Sequence, residues 1–363
     1  MNKKKEIIHL TIDTRYGGIY RFIELWSKLD KDNKLTKKII HKTFVYNRLE
    51  KTIFLINKRL SNTRSNSGYL FIFDFLINLP SYLYYGIKSD IIILHSIYLS
   101  PLLPLFSIFN KNIFLISHDY NAPKLLKEIC KLLIIKKHLF VAPWLMNSFN
   151  NSKKYSFKNI CLPINLKINL LDKIILEKDI LKKDKKFNLS FVYIGSLASV
   201  KGINDLIINL NNIEINCVVH VIGPKEKRYM ENLNKLNQNH TINFHGSIYD
   251  NEKKKEIFSK SMFAIIPSRS EVFPFVYSEY LISGLIPICN NLNVFKELSF
   301  SRNHIYDSSK PKDFKKCIEW TLSLDNEGYL SYHQELCKNF NDFVKGYQNV
   351  ASLSERILDG YFK

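Results

Sequence analysis

The sequence predicts an α/β protein of two domains, on three observations. Its 363 residues exceed what one core usually organises. Short apolar runs alternate with helix-length amphipathic stretches along the whole chain. Several of those runs end in glycine or histidine, as strands do where a parallel sheet meets a ligand. A hydrophobic fraction of 46% and a charged fraction of 24% fit a chain with buried cores. They exclude a mostly disordered chain, a disulfide-stapled mini-domain and a collagen-like repeat.

Strands are expected in the first half at Glu6–Ile12, Lys37–His41, Thr52–Ile56, Asp90–His95, Asn112–Ser117 and His138–Ala142. The second half offers Phe187–Ile194, Asn216–Ile222, Ile242–His245, Phe263–Pro267 and Ile286–Asn290. Helices are expected at Gly18–Leu29, Lys124–Leu133, Ile203–Leu210, Asp250–Ser259 and Phe275–Ser283. One such set per half predicts two Rossmann-like domains facing each other, residues 1–165 and 166–344. The tail from Phe340 to Lys363 reads as helical, with a final helix over about 345–363 packing back on the first domain. The boundary falls between Pro163 and Phe187, where Lys182-Lys183-Asp184-Lys185-Lys186 reads as a solvated linker.

Charge divides the chain unevenly. The formal net charge is +20; residues 1–160 hold 26 Lys and Arg against 10 Asp and Glu, net +16, and residues 161–363 hold 27 against 23, net +4. An excess on one half points to an anionic partner there. Of the 53 basic residues, 44 are Lys and 9 are Arg. A reader of nucleic acid would lean on Arg and on interleaved stacking aromatics, so an anionic membrane surface is expected and nucleic acid is not.

The window Ile91–Asn110 carries no charge, but Pro101, Pro104 and His95 argue against a membrane span and leave two readings, an apolar surface at a membrane interface or ordinary core, with Asp90–His95 as a buried strand. The six cysteines show no paired spacing, and the start has neither an h-region nor a cleavage site. Both features read as a reduced, cytoplasmic protein.

Chemistry is expected beyond strand ends. Gly17-Gly18 opens a helix after the first strand, a turn that lets a ligand approach the backbone. His95 and His118-Asp119 follow strands, where a histidine donates to a sugar or phosphate oxygen or rests as a structural ring. Gly195–Gly202 is not a Walker A loop, yet it can hold Lys201 as a fixed cation. Gly223 and Gly246 end two further strands. Pro267–Glu279 joins a strand to a helix, with Pro274 at its start and free amides near Phe275 and Val276 forming an anion site. Asp30-Lys31-Asp32, at a helix end, reads as a solvated turn.

Together these residues resemble the second domain of the GT-B retaining glycosyltransferases of family 4 (glycosyl transferases group 1). The matches run in order: G-x-L-x-x-x-K-G at Gly195–Gly202, Ile222-Gly223, Phe244-His245-Gly246, P-S-x-x-E at Pro267–Glu271, E-x7-E at Glu271–Glu279, and G-x-x-P-I at Gly284–Ile288. The first half resembles the acceptor domain through Gly17-Gly18, His95 and His118-Asp119.

The resemblance implies a transfer of sugar from a nucleotide-diphosphate donor to a lipid-linked or polysaccharide acceptor of a bacterial surface glycan. The enzyme would work at the inner face of the membrane and without metal or cofactor. It implies His118 and Glu271 as catalytic, with His118 near the sugar and its leaving phosphate. Gly17, Gly18, Lys201, Gly223, Gly246, Phe273, Phe275, Val276 and Glu279 would bind the donor. Lys201 would neutralise the diphosphate and Glu279 would hold the ribose hydroxyls.

The chain departs from its relatives at three places. Ser196 stands where many carry Arg, which leaves Arg269 or Lys201 to compensate. Pro163-Ile164-Asn165 replaces P-N-G, and no D-x-D follows a strand. A nucleotide-sugar epimerase on the same fold is the alternative reading; a basic nucleic-acid-binding protein is a more distant one.

Overall fold

A computed structural model of the chain describes residues 5–11, 18–32, 39–45, 80, 84, 87–109, 112–118, 124–125, 127–128, 138–149, 161–162, 189–224, 227–236, 240–345, 348–349 and 354–355. The chain divides into two compact units, Met1–Asn165 with Tyr347–Lys363, and Leu166–Gly346.

The first unit is built on β1 (Lys5–Thr11), β2 (Ile39–Val45), β3 (Ile91–Leu94), β4 (Ile113–Ser117) and β5 (His138–Phe140), ordered β2-β1-β3-β4-β5 with every pairing parallel. Strands covered on both faces should be continuously apolar, without a polar alternation. All four residues of β3 and all five of β4 are buried. The uncharged window is therefore a buried strand followed by a 3-10 turn (Ile97–Leu102) and helix α2 (Leu103–Phe109). Among the described residues no helix is long and apolar enough to cross a membrane.

Helix α1 (Gly18–Asp32) follows β1 and buries Phe22, Ile23, Trp26 and Asp30. That corrects the reading of Asp30 as part of a solvated turn. Its carboxylate Oδ2 accepts a 2.6 Å bond from the Ser354 hydroxyl, and Ser354 Oγ accepts a 2.7 Å bond from Trp26 Nε1. Both Asp30 and Ser354 are fully buried. The tail is also not wholly helical. Gln348–Asn349 pairs as a parallel strand with Cys161–Leu162, while residues 354–355 are helical.

The second unit has six parallel strands in the order β12-β11-β10-β7-β8-β9. In chain order these are β7 (Ser190–Ile194), β8 (Val218–Ile222), β9 (Thr241–Gly246), β10 (Phe263–Ile266), β11 (Ile286–Asn290) and β12 (Ile305–Tyr306). With β6 (Cys161–Leu162) and α3 (Pro143–Phe149) placed in the first unit, the helices here are α4 (Ile203–Leu210), α5 (Lys227–Leu236), α6 (Asn251–Phe258), α7 (Phe275–Ile282), α8 (Asn293–Leu298), α9 (Pro311–Ser323) and α10 (Asn326–Lys345). Strand order reverses between β7 and its neighbours β8 and β10. That switch is where an open parallel sheet leaves room for a ligand beyond its carboxyl ends.

The expected strand Thr52–Ile56, most of Lys124–Leu133 and the boundary over 163–187 lie outside the described residues. Cys217, Cys289, Cys317 and Cys337 are free and buried, and burial raises all four thiols above their ordinary range. They pack rather than react.

Candidate active site

In the second unit, backbone bonds join three strand ends at glycines. Gly195 N–H donates to Ile222 O at 3.0 Å, and Gly223 N–H donates to Gly246 O at 2.9 Å. A Cβ on Gly223 would lie 1.9 Å from Gly195 O, so only glycine lets the β7 and β8 ends approach this closely. Gly195, Gly223 and Gly246 therefore form one floor at the carboxyl ends of β7, β8 and β9.

The loop after β7 is held from below. The Tyr193 hydroxyl donates a 2.6 Å bond to Ser196 O. Burial and the nearby Glu271 carboxylate hold that phenol protonated, well above its ordinary range. A 3-10 turn over Ser199–Lys201 then leads to Gly202, which has φ 68° and caps α4. A Cβ there would sit 2.0 Å from Pro267 O, so the loop after β7 and the loop after β10 touch through this glycine. Arg269 N–H donates to Val200 O at 2.9 Å and ties the same two loops again.

This close approach brings Lys201 to Glu271. Lys201 Nζ lies 2.6 Å from Glu271 Oε1, with the carboxylate nearly buried (11% exposed) and the lysine less so (32%). Arg269, the other cation that could compensate for Ser196, is already paired. Its guanidinium is held by both oxygens of Asp205, at 2.6 Å each, on the first turn of α4. That bidentate geometry fixes the loop and uses the arginine's fork.

Helix α7 begins at Phe275, with Pro274 as its cap residue and no side chain capping its first amides. The first amides of any helix lack intrahelical acceptors, so those of Phe275 and Val276 are available to an anion. Phe273 is buried, edge-on to Phe275 at 5.8 Å. The Tyr280 hydroxyl accepts a 2.8 Å bond from Ile194 N–H, which pins α7 to the end of β7. Its neighbour Glu279 is thereby held at the same edge, 3.6 Å from Lys254 of α6. Lys254 was not legible from spacing, since nothing in Asp250–Ser259 distinguishes it from the other lysines of that helix. Asn290 at the end of β11 braces the loop after β10 by donating to Ser268 O at 3.1 Å, and it accepts from Ser308 N–H at 3.0 Å.

In the first unit, His118 follows β4, and its Nε2 lies 3.2 Å from His95 Nδ1. His95 Nε2 lies 2.8 Å from His9 Nδ1. His118 is half-buried, and the low-dielectric surroundings of its ring push its pKa down to about 3. It is a neutral imidazole at any physiological pH. His9, set within an apolar strand, escaped the sequence reading because only the pairing of β1 with β3 brings it to His95. Gly18 opens α1, while Gly17 and Asp119 lie outside the described residues. Among the described residues no group of three His, Cys, Asp or Glu could hold a metal ion.

Residues 174–342 match the model of the family described as glycosyl transferases group 1. No curated protein matches the chain. Among solved structures, the chain is similar to sucrose-phosphate synthase from Thermosynechococcus elongatus, with a TM-score of 0.65, 14% identity and 98% of each chain covered. It is similar to the E. coli trehalose-6-phosphate structure bound with UDP-2-fluoro glucose, with a TM-score of 0.63, 14% identity and 98% of each chain covered. It is also similar to Anabaena HepE in complex with UDP and glucose, with a TM-score of 0.61, 12% identity, and 98% of this chain and 99% of that chain covered. At such identities these likenesses carry the fold. The family match carries the activity class: the chain bears a glycosyl transferases group 1 domain over residues 174–342 and is a glycosyltransferase of the GT-B fold.

Proposed function

We propose that the protein takes a sugar from a nucleotide-diphosphate donor, with retention of anomeric configuration, and passes it to a lipid-linked or polysaccharide acceptor of a bacterial surface glycan. The observation that carries the donor half is the gathering of Lys201, Glu271, the open first turn of α7 and Glu279 around the carboxyl ends of β7 and β10. A diphosphate suits that set. Lys201 offers a charge, the amides of Phe275 and Val276 offer a helix N-terminus, and the Gly195–Gly223–Gly246 floor lets a nucleotide lie close to backbone. Glu279, at 35% exposure, is open enough to accept from ribose hydroxyls. HepE in complex with UDP and glucose, and the E. coli structure bound with UDP-2-fluoro glucose, favour a uridine donor.

Cleavage of the sugar–phosphate bond builds positive charge on the sugar ring and negative charge on the leaving diphosphate. Lys201 and the α7 amides meet the second charge, so the reading calls for no metal. While the donor is absent, Glu271 neutralises Lys201. When a diphosphate takes Lys201, Glu271 is released to a sugar hydroxyl. His118, neutral through burial, serves as a hydrogen-bond donor to the sugar or its phosphate rather than as a charged acid.

The acceptor half rests on charge and exposure. Residues 1–160 carry net +16. Exposed apolar side chains of the first unit, Tyr84, Ile87, Ile108 and Leu125, accompany Lys88 and Lys124. Such a surface suits peripheral attachment to the anionic inner leaflet, each lysine contributing about 1 kcal/mol. Retention is tested by proton NMR of the sugar that the enzyme releases to water from UDP-glucose. Glucose appearing first as the α anomer supports the reading, and β-glucose appearing first contradicts it.

A further inference from the structure

Three adjacent parallel strands, β1, β3 and β4, each deliver one histidine: His9 within β1, His95 directly after β3 and His118 directly after β4. Their placement follows from register. Leu10 pairs with Leu94, and His95 N–H donates to Leu10 O at 2.8 Å, so β1 and β3 remain side by side past the last strand residue. The rings form a chain: His9 Nδ1 to His95 Nε2 at 2.8 Å, and His95 Nδ1 to His118 Nε2 at 3.2 Å. Aromatic edges fix the ring planes. Trp26 stands edge-on to His9 at 5.2 Å, and Phe22 stands edge-on to His95 at 5.6 Å and to His118 at 5.1 Å. His9 and His95 are fully buried.

This is not the pattern of a shared metal site. His95 uses its two opposite nitrogens for its two neighbours, so no single point lies near a nitrogen from all three rings. Proton bookkeeping gives the chain another property. A neutral imidazole has one N–H donor and one lone-pair acceptor. Two successive bonds through His95 therefore have only two consistent settings. In one, each Nδ1–H donates along the chain to the next Nε2, and His118 is left with its proton on Nδ1. In the other every bond is reversed, and His118 Nδ1 is a bare lone pair.

We propose that His9 and His95 are positioning residues for His118, a relay that fixes the His118 tautomer with its proton on Nδ1. The inference rests on the reading of His118 as a donor to an oxygen of the sugar or its phosphate. A bare Nδ1 would present a lone pair to those oxygens, whereas Nδ1–H presents a donor without adding charge. Among the described residues, His118 Nε2 is the ring nitrogen that meets His95, so Nδ1 is the nitrogen the reading assigns to the ligand. In this way the tautomer at the site is set two residues away, by the same network that holds the ring in plane.

The test is long-range 1H–15N spectroscopy of the full-length protein labelled at histidine nitrogens, without substrate, with His118 assigned by its loss in His118→Asn. The relay predicts one tautomer, with a pyrrole-like Nδ1 and a pyridine-like Nε2 at His118. In His9→Phe those two signals should move towards each other as the ring samples both tautomers. A wild-type His118 that is Nε2-protonated or averaged overturns the proposal, and so does a His9→Phe spectrum unchanged at His118. If His9→Phe does not fold, the wild-type spectrum alone decides. The readout needs no donor, so it is separable from the donor-site reading, which nucleotide binding by Glu279→Ala tests on its own.

Discussion

Lys201 Nζ lies 2.6 Å from Glu271 Oε1, so the cation that would meet a diphosphate is already paired with the carboxylate that would meet the sugar. The two residues lie far apart in sequence, and the contact exists because Gly202 lets the loops after β7 and β10 touch. An ion pair with the lysine partly in water contributes little to folding, about 0–1 kcal/mol. Its value lies in readiness for a ligand.

Lys201→Ala is therefore expected to weaken nucleotide-diphosphate binding by about tenfold or more, the scale of one charge-assisted contact. Stability should change by no more than about 1 kcal/mol. Isothermal titration beside a denaturant melt separates the two effects. A large loss of stability with unchanged binding would assign the lysine to the scaffold.

Gly202→Ala should be costly for a reason independent of chemistry. The position has φ 68°, and the added Cβ would meet Pro267 O at 2.0 Å. A strained left-handed residue costs on the order of 1–3 kcal/mol before the clash is relieved. The denaturant midpoint should fall accordingly, and an unchanged midpoint would mean that the two loops do not meet as described.

The buried bridge Trp26–Ser354–Asp30 ties Ser354 into the first unit's core. Ser354→Ala removes an acceptor for the indole and a donor to the carboxylate, at about 1–3 kcal/mol. Faster proteolysis within residues 347–363 should accompany the loss of stability. Equal proteolysis of wild type and variant would show that the bridge does not hold the tail.

Buried neutral histidines make stability depend on pH with a definite sign. Burial lowers His118, His138 and His304 to about 3 and His220 to about 4. Between those values and the ordinary histidine range near 6.5, the unfolded chain binds protons that the folded one does not. Stability should therefore be full above pH 6.5 and fall as pH drops towards 4, each group adding up to about 1.4 kcal/mol per pH unit. His138→Asn, which keeps a partner for the Ser117 hydroxyl now 2.7 Å from His138 Nε2, should flatten the melting curve against pH over that window. An unchanged slope would remove His138 from the account.

What the sequence made legible divides along physical lines. Ile203–Leu210 and Ile286–Asn290 were readable to the residue, the first as an amphipathic stretch that begins after Gly202 and the second as a short apolar run that ends at Asn290. Lys201, Glu271 and Glu279 were singled out because the segments that carry them come after strands β7 and β10, but the ion pair between Lys201 and Glu271 was not foreseen. Contacts made only by tertiary packing were not readable. Asp30 is buried because Ser354, far along the chain, reaches it. Arg269 is occupied because α4 turns Asp205 towards it. Gln348–Asn349 became a strand because Cys161–Leu162 offers an edge. Two-residue strands leave no periodicity to read.

The attachment reading predicts that the full-length protein sediments with anionic vesicles at low salt and is released as salt rises, since surface attraction is screened within a Debye length. Neutral vesicles should not carry it down. Binding that ignores salt would contradict an electrostatic surface.

The central claim is that the loops after β7 and β10, with the first turn of α7, form a nucleotide-diphosphate site. Its most direct test is a thermal-shift comparison of UDP, GDP, ADP, CMP and dTDP on wild type and Glu279→Ala. A ligand at 100 times its Kd adds about 2.7 kcal/mol of stability. One diphosphate, UDP foremost, should raise the wild-type melting temperature and lose most of that effect in Glu279→Ala. A well-folded wild type that no nucleotide stabilises, or a shift equal in the variant, would contradict it.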